Sequence, residues 1–90
     1  MSTRNIKLVN FITEPIRDKP VTELPGIGVT LGYKLTDAGF GRASSVLGQF
    51  LLFDMDKEYF CDWMFEICQA NTRQANECWH CLLKWCDAFL

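Results

Sequence analysis

Apolar residues in the second half of the chain recur at helical spacing. Tyr59, Phe60, Trp63, Met64, Ile67 and Cys68 fall at i, i+1, i+4, i+5, i+8 and i+9, which gathers them on one side of a helix and leaves the carboxylates on the other. Asn71-Thr72-Arg73-Gln74 has the form of a capping box, with Asn71 as N-cap and Gln74 at N3, and opens a last helix that runs to the C-terminus. That helix carries Cys78, Leu82, Trp85, Cys86 and Phe89 on one apolar stripe and Trp79, Leu83 and Leu90 on a second. Two stripes need two packing partners, one within the chain and one across a dimer. Residues 43–53 hold Val46, Leu47, Phe50, Leu51, Leu52 and Phe53. So apolar a helix has no fully wet side, and belongs at the centre of a core or at an interface.

The first half reads as shorter pieces. Ile6, Val9, Asn10 and Phe11 predict a first helix within residues 1–13, with Lys7 off its apolar side, and Glu14-Pro15 ends it because the residue before proline is pushed out of the α region. Pro20 is placed to start a short helix. Leu24-Pro25-Gly26-Ile27-Gly28 then makes a sharp turn into a helix with Val29, Leu31, Lys34 and Leu35 at helical spacing, which runs to about Ala38 with Gly39 as its C′ cap. Gly26 is free to take positive φ and Gly28 to approach another surface closely. Together residues 20–37 read as a helix-hairpin-helix whose turn amides and following helix dipole aim at a phosphate. The alternative is a tight interhelical turn that plugs Ile27 into a core. No segment alternates with period two and none repeats, so the expected fold is all-α: a compact bundle of five main helices plus a short helix, in a single domain over residues 1–90.

Composition adds an oligomer to this picture. The chain of 90 residues is 49% hydrophobic, 13% aromatic and 22% charged, a globular balance in a length that makes one domain. Such a domain holds only ~5–10 kcal/mol of stability and cannot cover so much apolar surface internally, so a permanent oligomer interface is expected. The formal net charge of −2 and an isoelectric point near 5.2 argue at first sight against nucleic acid as a partner. The charge is unevenly spread, however. Asp54, Asp56, Glu58, Asp62 and Glu66 accompany Lys57 alone within residues 54–66, which leaves eight bases and six acids elsewhere. A mildly basic face and an acidic face are compatible with that split. Five cysteines with no apolar leader and no long apolar run read as reduced thiols of the nucleus or cytoplasm, without insertion in a membrane.

Candidate chemistry narrows to binding. Cys78, Cys81 and Cys86 with His80 sit on one helix, where His80 projects away from the side the thiols share, whereas a structural zinc site draws four convergent ligands from two separate pairs. These thiols read as small buried side chains, and no metal or cofactor is expected. One histidine, no Gly-x-Ser-x-Gly and no phosphate loop with its lysine leave hydrolysis without machinery. The carboxylates between Asp54 and Glu66 read as a solvated face rather than a Mg²⁺ site. The chain reads as a binder, not an enzyme. Lys7, Lys34 and Arg73 gain meaning if the first helix, the hairpin helix and the start of the last helix converge, because three cations and two helix N-termini then face one phosphate track.

Over essentially its whole length the sequence resembles the barrier-to-autointegration factor family. The matching segments are Phe11 with Glu14-Pro15, Lys19-Pro20-Val21, Leu24 with Gly26-Ile27-Gly28, Lys34-Leu35, Gly39-Phe40, Val46-Leu47-Gly48-Gln49-Phe50-Leu51, Phe60 with Trp63, Ala70-Asn71, Cys78, Cys81-Leu82 and Trp85-Cys86-Asp87-Ala88-Phe89-Leu90. The resemblance implies a helical homodimer that binds and bridges double-stranded DNA without sequence preference, works at chromatin and the nuclear envelope, and receives LEM-domain proteins and the lamina in a groove at its dimer interface. By position, it implies DNA contacts at Lys7, Gly26, Ile27, Gly28, Val29, Lys34, Ala70, Asn71 and Arg73. It places Phe40, Leu47, Gly48, Phe50, Leu51, Leu52, Tyr59 and Trp63 at the groove or dimer interface. Ser2 and Thr3 correspond to phosphorylation targets whose added charge near Lys7 opposes DNA. The sequence also departs from the family's usual pattern. Asn76 stands for an arginine that reaches DNA, Tyr33 for a lysine, and Leu8-Val9 for a His-Arg pair, while Asp54, Met55, Cys61 and Phe65 stand where basic residues are usual. These changes keep a second reading open: a protein-interaction module with weakened DNA binding that pairs with a typical family member as a heterodimer.

Overall fold

Caps written into the sequence set most helix boundaries. The computed structural model describes residues 4–90, with side chains from Ile6 onward. Five α-helices and one 3-10 turn follow in order: α1 Arg4–Ile12, the turn Val21–Glu23, α2 Val29–Asp37, α3 Ala43–Leu52, α4 Lys57–Cys68 and α5 Thr72–Phe89. The Asp56 carboxylate accepts from the Tyr59 N–H at 2.9 Å to start α4, and Gln69 ends it in the left-handed region at φ 59°. The capping box at α5 forms reciprocally: the Gln74 N–H donates to Asn71 Oδ1 and the Asn71 N–H to Gln74 Oε1, each at 2.8 Å. Gly39 closes α2 at φ +96°, a conformation a side chain would resist. No strand forms among the described residues. One isolated bridge between Pro20 and Arg42 ties the 3-10 turn to the start of α3.

The core draws on every element. Phe11, Leu24, Ile27, Leu35, Phe50, Phe60, Met64 and Leu82 are fully buried, and no polar or charged side chain is buried among the described residues. Phe50 meets Phe60 edge-on at 5.7 Å, a favoured aromatic geometry. The α1–α5 seam is fixed at its far end by the Trp85 indole, whose Nε1–H donates to the Glu14 carbonyl at 3.0 Å. Lys19 pairs with the Glu14 carboxylate and lies 5.5 Å over the Phe11 ring. The radius of gyration, 11.7 Å, is close to the ~12 Å expected for one folded domain of this length.

α1 corrects one expectation. It buries Phe11 and packs Leu8 and Ile12 against the core, whereas Ile6 and Val9 are about half exposed, at 54% and 51%. Two apolar sets compete on this short helix. Leu8, Phe11 and Ile12, at i, i+3 and i+4, carry the large aromatic ring and win, which turns Ile6 and Val9 outward and brings Lys7 to the edge of the buried side. All five cysteines are free thiols, with Cys61 half-buried and the others buried. Burial pushes the Cys78 thiol well above its ordinary value and the Cys81 thiol up to about 12.

Candidate nucleic-acid interface

Gly26 explains why the hairpin sits where it does. Its φ of +87° is a left-handed conformation, and a methyl group there would overlap the Gln74 carbonyl oxygen and lie 3.2 Å from its carbon. Glycine therefore lets the turn rest directly on the first turn of α5. Gly28 is different: it is extended, at φ −97°, exposed, and a methyl group would meet nothing within 4 Å. Ile27 between them is fully buried. The turn is thus both a core plug and an outward-facing loop, and the two readings of the sequence are compatible.

Lys7 links α1 to this turn, its Nζ donating to the Ile27 carbonyl at 2.8 Å. Its ammonium is also near enough to the buried Cys78 and Cys81 thiols to oppose, weakly, the rise that burial imposes on them. Lys34 stands close enough to the C-terminal end of α4 to act in the same way on Cys68. Neither lysine has a carboxylate partner among the described residues. Arg73 is exposed at the start of α5, where Glu77 holds it loosely at 3.6 Å. First helix, hairpin and last helix do converge, as the cation argument requires.

The hydrogen bonds change which amides are available. The Ile27 N–H is already given to the Leu24 carbonyl at 3.1 Å, and the Ala70 N–H to the Met64 carbonyl at 3.4 Å. Ala70 is 2% exposed, and the Asn71 amide and carboxamide oxygen are both committed to the capping box. The backbone amides of Ile27, Ala70 and Asn71 are thus not free to donate to a ligand. The available donors lie one step on. Among the described residues no acceptor meets the N–H groups of Gly28, Val29 and Thr30, or those of Thr72 and Arg73, and neither α2 nor α5 has an acidic residue in its first turn. Sequence reasoning passed over Thr30, and reached Thr72 only as part of the stretch from Ala70 to Arg73. Their positions at N2 of α2 and N1 of α5, where backbone N–H groups lack helical partners, are the signal that finds them. Val29 is 85% exposed and contributes its amide, not a packed side chain.

A family model described as "Barrier to autointegration factor" matches residues 2–89. The chain belongs to the barrier-to-autointegration factor family. Drosophila melanogaster barrier-to-autointegration factor is 52% identical to it over 90 residues, covering all of both chains. Xenopus laevis barrier-to-autointegration factor A is 47% identical over the same span, and the Homo sapiens relative is 47% identical over 88 residues, 98% of this chain and 99% of that one.

The family's expected groove residues divide into three kinds. Phe40 and Trp63 pack at 5.0 Å and, with Phe53 stacked on Tyr59 at 6.3 Å, form an aromatic cluster. Leu51, Leu52 and Tyr59 are exposed at 40%, 74% and 66%, and Gly48 opens onto free space beside them. Leu47 is nearly closed off, at 9%. Phe50 is fully buried, so it supports this surface from beneath and cannot line it. Of the departures from the family pattern, Asn76 and Cys61 meet each other, the thiol lying 3.4 Å from Asn76 Oδ1. Ser2 and Thr3 lie outside the described residues.

Proposed function

We propose that this protein is a dimeric nuclear protein that binds double-stranded DNA through its phosphate backbone, without reading sequence, and bridges two duplexes. The observation that carries this reading is the seating of Gly26 on the first turn of α5. It brings two helix N-termini together with Lys7, Lys34 and Arg73, none of them offered to a base edge by a recognition helix. Three such cations give a salt slope of about 2.7 per duplex. The exposed aromatic and leucine surface on α3 and α4 is built from other residues than the phosphate site. Pairing two copies through it leaves a phosphate site on each, and bridging follows from the dimer. The groove that such a pairing leaves along its interface is where LEM-domain partners of the nuclear envelope would dock, with the lamina as a further partner.

Binding of the purified protein to a short random duplex across a salt series tests this, beside Lys34→Glu and Asn76→Arg. The unaltered protein binds with strong salt dependence and no sequence preference, and Lys34→Glu abolishes binding. Salt-insensitive or sequence-selective binding refutes the reading. The Cys61–Asn76 contact favours one alternative, because a position where the family presents a cation is here turned onto a thiol. On that reading the fold serves protein contacts, pairing with a typical family member as a heterodimer. Binding by Asn76→Arg alone, with co-purification of mixed dimers on co-expression, would establish it.

A further inference from the structure

α5 continues past the proposed phosphate site into an open depression of about 630 Å³, lined by Lys57, Thr72, Arg73, Asn76, Glu77, Trp79 and His80. Thr72 and Arg73 belong to both. Arg73, Asn76, Glu77 and His80 follow at i, i+3, i+4 and i+7, so they form one stripe along the helix. Lys57 reaches this stripe from α4: its ammonium lies 5.4 Å over the Trp79 ring, and the Trp79 indole is itself fixed by donating from Nε1 to the Met55 carbonyl at 3.0 Å. The cation is thereby held toward α5 and away from the carboxylates of its own helix. Asp56, next to it, directs its carboxylate to the Tyr59 N–H. Glu77 is the one carboxylate in the lining, and it is already occupied with Arg73.

We infer that this depression is a second phosphate subsite for the same DNA strand, with Lys57 as its cation and His80 and Thr72 as polar contacts. The inference rests on the DNA reading above and extends it along α5. From Arg73 to His80 is seven residues, or about 10 Å of helix, so the stripe is long enough to hold more than one contact. Because Thr72 and Arg73 line both the proposed phosphate site and this depression, a strand held at the first lies beside Lys57. The lining has two permanent cations against one carboxylate, a balance that suits a phosphate ester. Lys57 also supplies charge in the same depression where Asn76 withholds it.

The test compares salt slopes for the full chain and a short random duplex between 50 and 200 mM salt, concentrations across which each phosphate contact contributes about 0.9 to the slope. Lys57→Gln lowers the slope by about 0.9, so that the unaltered protein loses about 3.5-fold more affinity than the variant over that range. Lys57→Arg keeps the slope, and thermal melting confirms that each variant is folded. If the unaltered protein binds, Lys34→Glu does not, and Lys57→Gln runs parallel to the unaltered protein, the subsite is overturned while the DNA reading stands. If the unaltered protein fails to bind at 50 mM, both fall together.

Discussion

Gly26 and Gly28 are separated by one residue and make opposite predictions on substitution. In Gly26→Ala the new methyl group meets backbone, the Gln74 carbonyl, and no flexible side chain can move aside. The left-handed φ of +87° adds about 1–2 kcal/mol for a residue with a Cβ, and forcing a methyl group into closed packing adds about 1–3 kcal/mol. A destabilisation of about 3 kcal/mol is expected, a large part of a domain's ~5–13 kcal/mol at this length. It lowers the melting temperature by roughly 12–24 °C. Gly28→Ala, at φ −97° with open space around it, changes stability by less than about 0.5 kcal/mol, yet places a methyl group among the amide donors and weakens DNA binding. Urea titration and circular-dichroism melting measure the first effect, and duplex binding below the melting temperature the second. Equal stability of the two variants, or a Gly28→Ala protein as unstable as Gly26→Ala, refutes the claim that one glycine serves the fold and the other the site.

Three further outcomes are expected. Asn71→Ala removes the capping box that starts α5 and costs about 1 kcal/mol in urea titration, with a loss of DNA affinity through the displaced Thr72 and Arg73 amides. Leu52→Glu, on the exposed α3 surface, gives a folded monomer by sedimentation and abolishes bridging, while each subunit still binds one duplex. The buried thiols make stability fall in alkali. Cys81, pushed by burial from an ordinary 9.0 up to about 12, keeps its proton when folded and loses it when unfolded. Its contribution is fully present below pH 9 and is lost as pH rises toward 12, by at most about 1.4 kcal/mol per pH unit for one thiol. Melting temperatures that are flat between pH 8.5 and 10.5 contradict this.

The local devices were legible in the sequence because each depends on near neighbours. Gly39 ending α2, Asn71 with Gln74 opening α5, and Pro20 before the short turn all stand where the pattern puts them. Gly26 was legible as a turn, but its contact with Gln74 joins positions far apart in the chain and has no sequence signature. The same limit applies to the donors. Spacing identifies the hairpin, yet only the three-dimensional hydrogen bonds reveal that Ile27 and Ala70 spend their N–H groups internally, leaving Thr30 and Thr72 better placed. In α1, the set Leu8, Phe11 and Ile12 competes with Ile6 and Val9, and tertiary packing on Phe11 decides between them. The consecutive left-handed residues Asp54 and Met55 left no mark either, since neither is glycine. They are held by their own N–H groups donating to the Leu51 and Phe50 carbonyls at 2.9 Å and by the distant Trp79 indole on the Met55 carbonyl.

The joining of Glu14 to Trp85 by one indole hydrogen bond, 71 residues apart, has a consequence for how the site is assembled. The hairpin rests on the start of α5, and the segment just after α1 is latched near the end of α5, so the two parts of the proposed phosphate site come together only when the last helix docks. The bond closes a loop of 71 residues, at a loop-closure entropy that grows only slowly with length. On the proposed reading, a chain whose α5 has not docked lacks the paired helix N-termini, and its grip on phosphate depends on that one helix.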